Sequence, residues 1–245
     1  MAEAVIKLEN VWKIYYLGEN EVDVLRGVSL EIAPGSFVAL MGPSGSGKST
    51  LLHIIGCLDT PSKGKVFLSG QDLSQLSEDQ LAQIRGKKIG FVFQQFNLLP
   101  NLNALENVML PMIFQGIPQE ARKEKARDLL GSTGLKERVL HRPTELSGGE
   151  QQRIAISRAL ANDPEIIVAD EPTGNLDSQT GKKIMEILID LHKNHKKTIV
   201  VVTHDPNIAG YAEEVINLKD GEILSNHQTG KEYLWQKNNN HQPHV

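Results

Sequence analysis

Residues 42 to 49 read GPSGSGKS, three glycines followed by a lysine and a serine. Gly42, Gly45 and Gly47 let the main chain curl until successive N–H groups point inward, an arrangement that cradles phosphate oxygens. Lys48 then reaches the β- and γ-phosphates, and Ser49 offers its hydroxyl to Mg²⁺ at the start of a helix. A nucleoside triphosphate is the natural ligand of such a loop. The bland alternative is a glycine-rich turn. The flanks argue against it, because the apolar run FVAL precedes the loop and the helical stretch TLLHIIGCL follows it.

Two acids stand in EIIVADE at the end of another apolar run, and ligands of open α/β sheets bind at the carboxyl ends of strands. Asp170 suits a Mg²⁺ ion, held directly or through water, while Glu171 can polarise a water for in-line attack on the γ-phosphate. An acidic strand end that merely caps the next helix is the weaker reading beside a phosphate loop. His204 follows TIVVVT, which puts its ring at the same edge, within reach of the γ-phosphate. Residues 146 to 152 read LSGGEQQ, with Ser147, Gly148 and Gly149 where a helix begins. A hydroxyl, two glycine N–H groups and the positive end of a helix make a second anion site, although LSGG alone equally reads as an N-cap. The chain thus offers two anion sites and one complete loop with its lysine.

The elements that must hold these residues are legible in the hydrophobic pattern. FVALMG, KIGFVF, EIIVAD and TIVVVTH are nearly unbroken apolar runs, as expected of parallel strands covered on both faces. Before residue 70, VIKLENVWKIY, VSLEI and KVFLSG are strand segments separated by turn signals, which predicts antiparallel pairing there. Ile184, Ile187, Leu188 and Leu191 recur at helical spacing, and Ser77 with Gln80 offers a capping box. Residues 95 to 162 carry denser helix signals, with Pro118 opening a helix and Asn162-Asp163-Pro164 ending another, so they are expected to form a helical subdomain. Asp220-Gly221 predicts a closing antiparallel hairpin, and the tail 229 to 245 is polar.

Composition sets the outer bounds. A chain of 245 residues, 40% hydrophobic and 23% charged, has the makings of a sizeable core. A net charge of -4 without clustered Lys and Arg argues against nucleic acid as a partner. The single cysteine, Cys57, permits no internal disulfide and points to a reducing compartment. No stretch approaches the ~20 apolar residues of a membrane span, and MAEAVIKLEN lacks the basic and apolar regions of a signal peptide.

Taken together, GPSGSGKS, LSGGEQQ, VADEPTGNLD and the lone His204 resemble the ATPase subunit of ABC transporters, over residues 5 to 224. The resemblance implies an α/β fold: a P-loop NTPase core with a mostly parallel sheet, an N-terminal antiparallel β subdomain and a helical subdomain, in a single domain over 5 to 228. It implies ATP and Mg²⁺ as cofactors and a head-to-tail pairing with a second copy, each ATP lying between the loop of one chain and the LSGGE of the other. The binding set would be Gly42, Pro43, Ser44, Gly45, Ser46, Gly47, Lys48, Ser49 and Thr50 on one side, and Ser147, Gly148, Gly149 and Glu150 on the other. Tyr15 would stack on adenine, Gln94 would sense Mg²⁺ and the attacking water, with Gln95 as its rival, and Asp177 would order the interface. Catalysis would fall to Glu171, His204, Gln94 and Lys48, and the metal to Ser49, Gln94 and Asp170.

Within the family, QQFNLLPNLNALENVMLPMIF and the ending TGNLD are similar to the ATPases of lipoprotein-releasing and macrolide-export systems and of the cell-division ABC pair. That similarity implies a protein at the inner face of the cell membrane, driving a permease in export or release of a lipophilic, peptide or lipoprotein cargo. The permease would dock between Gln94 and Leu102, with Phe96, Leu98, Leu99 and Leu102 as an apolar socket or as subdomain core. A small-molecule kinase, a DNA-repair ABC ATPase and the ATPase of iron–sulfur assembly are the competing readings. LSGGEQQ argues against the first, and the lack of a coiled-coil insertion against the second.

Overall fold

The computed structural model describes residues 3–18 and 20–229. Two strands open the chain, β1 (Ile6–Leu17) and β2 (Asn20–Ile32), followed by β3 (Phe37–Met41), helix α1 (Lys48–Ile55), β4 (Lys63–Leu68) and the short β5 (Gln71–Asp72). Next come α2 (Glu78–Lys88), β6 (Ile89–Val92), α3 (Ala104–Phe114), α4 (Gln119–Ser132) and α5 (Gly148–Ala159). The chain closes with β7 (Ile166–Asp170), α6 (Ser178–Lys193), β8 (Thr198–Val202), the single turn α7 (Pro206–Ala209), β9 (Glu214–Lys219) and β10 (Glu222–Gln228).

These strands form two sheets. One is antiparallel, in the order β2-β1-β4-β5, and the other runs β10-β9-β3-β8-β7-β6. In the second sheet every neighbour from β9 to β6 pairs in parallel, and only β10 is antiparallel. The four apolar runs of the sequence are β3, β6, β7 and β8, and β8 is buried at every position. Because side chains alternate along a strand, each run feeds two cores. Val38, Leu40, Val168, Val200 and Val202 join the antiparallel sheet and α1 on one face. Phe37, Ala39, Ile167, Ala169, Ile199 and Val201 join α6 and part of α5 on the other. Glycine is required at Gly90, where a Cβ would come within 2.5 Å of the Ala159 carbonyl oxygen of α5.

Helices α3, α4 and α5 share a third core that includes Val108, Met112, Ala126, Leu130 and Ile154. The capping box is present, Gln80 N–H donating to Ser77 Oγ and Ser77 N–H to Gln80 Oε1. On α6, Ile184, Leu188 and Leu191 are buried with Met185, while Ile187 is only half-buried, so the apolar face is rotated slightly from the one read in the sequence. Strand β2 begins at Asn20, well before the segment VSLEI, because its polar first half pairs across β1 as far as Leu17. The hairpin forms with both Asp220 and Gly221 in the left-handed region, at φ 50 and 84. It is not a separate appendage: β9 pairs in parallel with β3 and so extends the central sheet. Of the tail 229 to 245, all but Thr229 lies outside the described residues.

Candidate active site at the carboxyl edge of the central sheet

Register explains why distant motifs meet. Leu40 of β3 and Asp170 of β7 both lie opposite Val202 of β8, and Val92 of β6 lies opposite Ala169. The four strands therefore end at the same edge, and each is followed at once by one of the motifs: the loop from Gly42, Gln94, Glu171, and His204.

The loop itself is fixed by main chain on both sides. A Cβ at Gly42 would lie 2.1 Å from the Leu218 carbonyl oxygen, and one at Gly47 2.8 Å from that of Val24. Gly221 at the hairpin tip donates to the Ser46 carbonyl at 3.2 Å. Gly45 differs, since nothing lies within 4 Å of where its Cβ would point. Gly47 caps α1 in a left-handed conformation, with no side-chain hydrogen bond to the helix start and no acid in the first turn. The leading N–H groups of α1 thus meet no side-chain acceptor, which is the electrostatics of an anion site. Lys48 is buried and donates to the Pro43 carbonyl at 2.7 Å, an oxygen standing where a phosphate oxygen could take over. Ser44 is exposed, Ser46 is buried and Thr50 is half-buried.

Ser49, exposed at the start of α1, stands close enough to the Asp170 carboxyl to lower its pKa. Burial pushes that carboxyl above the usual range and the neighbouring Glu171 adds to it, while His53, Lys48 and Ser49 pull the other way. A half-buried carboxylate near a hydroxyl fits a hard divalent cation that completes its shell with water and phosphate oxygens. Such a site needs no dense donor cluster, and among the described residues no three His, Cys, Asp or Glu side chains form one.

Glu171 has φ 42, a costly conformation for a non-glycine residue. It is held there by its N–H on the Val202 carbonyl and by its own carbonyl accepting from Gly174. The bend turns its side chain to His204, whose Nδ1 lies 2.9 Å from Glu171 Oε1. The pair is half-open: the His204 side chain is 71% exposed and that of Glu171 23%. Gln94 is half-buried and Gln95 exposed. The Gln94 amide packs against Gly174 and donates to Asn175 Oδ1 at 3.4 Å, while Asn175 donates back to the Gln94 carbonyl. Gln94, and not Gln95, therefore faces the turn that follows Glu171.

Ser147 and Glu150 close the start of α5 as a capping box, and Arg138 donates to Glu150 Oε1 at 3.0 Å. Hydrogen bonds from the main chain and hydroxyl of Ser147, then the Arg138 guanidinium, hold the Glu150 carboxyl down to about 2. Gly149 is tight against Thr180 of α6, with a Cβ position 2.3 Å from its Cγ2, and Gly148 lies against Leu176 and Phe96. Asp177 is exposed and caps α6, accepting from Gln179 and Thr180, and those bonds hold its carboxyl below the usual range. Tyr15 on β1 is 38% exposed, and its hydroxyl donates to Asp59.

Three residues that position the site escaped the sequence reading. Gln152 is fully buried and bridges the Pro172 and Phe93 carbonyls, joining the turn after Glu171 to the strand end before Gln94. Arg158 donates to the carbonyls of Phe96 and Asn97, both left-handed, and burial lowers its pKa. Asn107, also fully buried, satisfies Leu99 on both its N–H and its carbonyl, and Leu102 and Asn103 on their carbonyls. Each lies in a helix where a polar residue reads as surface; Gln152 and Asn107 are fully buried and Arg158 half-buried, and their bonds to loop carbonyls show only in the folded chain. Of the four apolar residues after Gln94, Leu98 packs on the helical core, while Leu99 is 49% exposed.

A phosphate loop, a half-buried carboxylate near its serine and a Glu–His pair on one sheet edge define a nucleoside-triphosphate hydrolase of the P-loop class. A family model for ABC transporters matches residues 25–174. An uncharacterised ABC transporter ATP-binding protein of Thermotoga maritima is 55% identical over 229 residues, 94% of this chain and 97% of its own length. The macrolide export ATP-binding/permease protein MacB of Vibrio parahaemolyticus is 46% identical over 226 residues, 92% of this chain but 34% of that protein, so the chain spans about a third of it. The dimeric post-hydrolysis structure of the ATP-binding cassette MJ0796, from Methanocaldococcus jannaschii, bound to ADP and Pi, matches with a TM-score of 0.86 at 51% identity, covering 92% of this chain and 99% of that one. The chain belongs to the ABC transporter ATP-binding family and is an ATPase.

Proposed function

We propose that the chain powers a membrane transporter of the export or release type, acting at the inner face of the membrane as a head-to-tail pair around two ATP molecules. The observation that carries this reading is the shared strand edge, where the open N-terminus of α1, the Ser49–Asp170 pair and the Glu171–His204 pair converge. Dimeric structures of the MJ0796 cassette support the pairing, and the similarity to MacB, a macrolide export ATP-binding/permease protein, supports the membrane partner. No helix among the described residues is long and apolar enough to cross a membrane; a permease would provide the path for a lipophilic, peptide or lipoprotein cargo. The cassette spans residues 5 to 228, with a helical subdomain from about 95 to 162.

In this mechanism Lys48 exchanges the Pro43 carbonyl for phosphate oxygens, and the N–H groups from Gly45 to Thr50 hold the rest of the triphosphate. Ser49, Asp170 and Gln94 would hold Mg²⁺, which when bound neutralises charge on the β- and γ-oxygens. Glu171 accepts the proton of the attacking water, His204 keeps its carboxylate aimed, and Gln94 holds the water from the other side. Tyr15 stacks on the base. Ser147, Gly148, Gly149 and Glu150 of one copy face the γ-phosphate held by the other, with Asp177 at the seam. Loss of that phosphate removes the bridge and lets the pair open, a movement passed to the permease through the segment Gln94 to Leu102.

Glu171→Gln tests chemistry and pairing together. Hydrolysis should fall about 10²- to 10⁴-fold, the usual worth of a general base, while sedimentation shows a dimer that requires ATP. Unchanged turnover, or a monomer at high protein and ATP, contradicts the base or the shared site respectively.

A further inference from the structure

We propose that Asp59, paired with Lys13, is a positioning residue that holds the Tyr15 ring as a rigid platform for the nucleotide base and ties it to the phosphate loop. The inference rests on the reading of Tyr15 as the base-stacking residue. One carboxylate here orders three groups. Its Oδ2 accepts from the Tyr15 hydroxyl at 2.7 Å, and its Oδ1 accepts from the Lys13 ammonium and from the Thr60 N–H. Lys13 also donates to the Thr60 carbonyl at 2.8 Å, and its ammonium stands 5.0 Å from the centre of the Tyr15 ring.

This arrangement is costly unless it serves a purpose. Lys13 is only 9% exposed, and a buried ammonium is tolerated when a carboxylate and a carbonyl satisfy it. Tyr15, by contrast, keeps 38% of its surface open although its hydroxyl is bonded and a cation stands over its ring. A ring held at its tip and over its face has given up its rotamer freedom before any ligand arrives.

The anchor is also continuous with the phosphate site. Helix α1 starts at Lys48 and ends at Ile55, and its eight residues span about 12 Å. Leu58 and Asp59 both donate back to the His53 carbonyl, and Arg85 holds the Cys57 carbonyl at 2.6 Å. A few residues on, Ser62 donates to the Trp12 carbonyl and accepts from the Ile14 N–H, gripping β1 on either side of Lys13. One helix therefore begins under the triphosphate and ends by fixing the ring beneath the base. Since stacking uses the face of a base and not its edge, the platform serves guanine as well as adenine.

Ordering one side chain on binding costs about two- to tenfold in affinity. Steady-state hydrolysis and binding of a fluorescent ATP analogue would be measured on Asp59→Asn, Tyr15→Phe, the double variant and Tyr15→Leu. Asp59→Asn and Tyr15→Phe should each raise KM for ATP about two- to tenfold, with the loss in KM and not in kcat. The double variant should be no worse than the worse single one, and KM for GTP should rise by the same factor. A fall in kcat at constant KM, or no change in either variant, overturns the proposal. Tyr15→Leu separates the two levels. If it leaves KM unchanged, the base-stacking reading fails and takes this inference with it, whereas if it raises KM while the other variants do not, only the inference fails. Should Asp59→Asn not fold, Tyr15→Phe alone decides, because it removes a single hydroxyl from an exposed residue.

Discussion

Helices α1 and α5 both begin at turns of glycine and serine, yet they treat their leading N–H groups in opposite ways. At α1 the cap is a left-handed Gly47 that brings no side-chain acceptor, and no acid stands in the first turn. At α5 the chain fills the place itself: Ser147 accepts from the Glu150 N–H, and the Glu150 carboxylate accepts from both the N–H and the hydroxyl of Ser147. A helix N-terminus attracts anions wherever it lies, but it stays open to a ligand only where the sequence withholds its own acceptor. The first site is complete within one chain. The second is already neutralised by an internal carboxylate, so what it offers an incoming phosphate is the turn at Gly148 and Gly149 together with a hydroxyl that must leave its partner.

The sharpest break of this comparison is Gly42→Ala, which would put a methyl 2.1 Å from the Leu218 carbonyl oxygen at φ 152. ATPase activity should fall more than about 100-fold and the melting temperature should drop, as for other backbone clashes that cost several kcal/mol. Gly45→Ala is the control within the same loop: with open space around it at φ 78, only the left-handed penalty of about 1–2 kcal/mol applies to the fold. Its loss should show mainly as weaker nucleotide binding, and equal melting curves for the two variants would contradict the view that Gly42 is packed against main chain and Gly45 is not.

Next in size is Asp170→Asn, expected to lower hydrolysis about 100-fold or more while raising the melting temperature of the ligand-free protein. The sign follows from burial. A carboxyl whose pKa is raised in the fold costs stability once pH passes its unfolded value, so the gain should be present at neutral pH and absent well below the ordinary 3.8. A variant that melts lower at neutral pH would refute this.

Glu150→Ala removes half of the box at α5 and should cost about 1 kcal/mol of stability, read by denaturant titration. Because its carboxyl is held near 2, the wild-type advantage should be full above the ordinary 4.5 and disappear as pH falls toward 2. Smallest is Glu150→Gln, which keeps a box acceptor and removes the charge. At neutral pH it should cost part of what Glu150→Ala costs, because the charge held by Ser147 and Arg138 is gone, and the difference from wild type should vanish as pH falls toward 2. ATP-dependent dimerisation should tighten severalfold in sedimentation, and weaker dimerisation would mean that the carboxylate assists the second site.

Much of the architecture was legible from the chain. The four apolar runs became β3, β6, β7 and β8 because strands covered on both faces leave no polar alternation to misread. The hairpin at Asp220-Gly221 was visible from its turn chemistry, but its union with β3 was not, since parallel pairing joins residues 176 apart, such as Val38 and Glu214, and leaves no local mark. The positioning set Gln152, Arg158, Asn107 and Asp59 was missed for a similar reason. Their partners are mostly main-chain carbonyls and N–H groups of other segments, which have no residue identity to recognise.

By itself, then, the sequence singled out the side chains proposed to carry chemistry, because glycines at fixed offsets, a lysine and two acids after a strand have few other uses. The tertiary structure decided how they meet. Strand register set β3, β6, β7 and β8 to one edge, a left-handed Glu171 turned its carboxylate to His204, and Gln94, not Gln95, came to contact Gly174 and Asn175 in the turn after Glu171. Those outcomes depend on the packing of distant main chain, and no short stretch of residues encodes it.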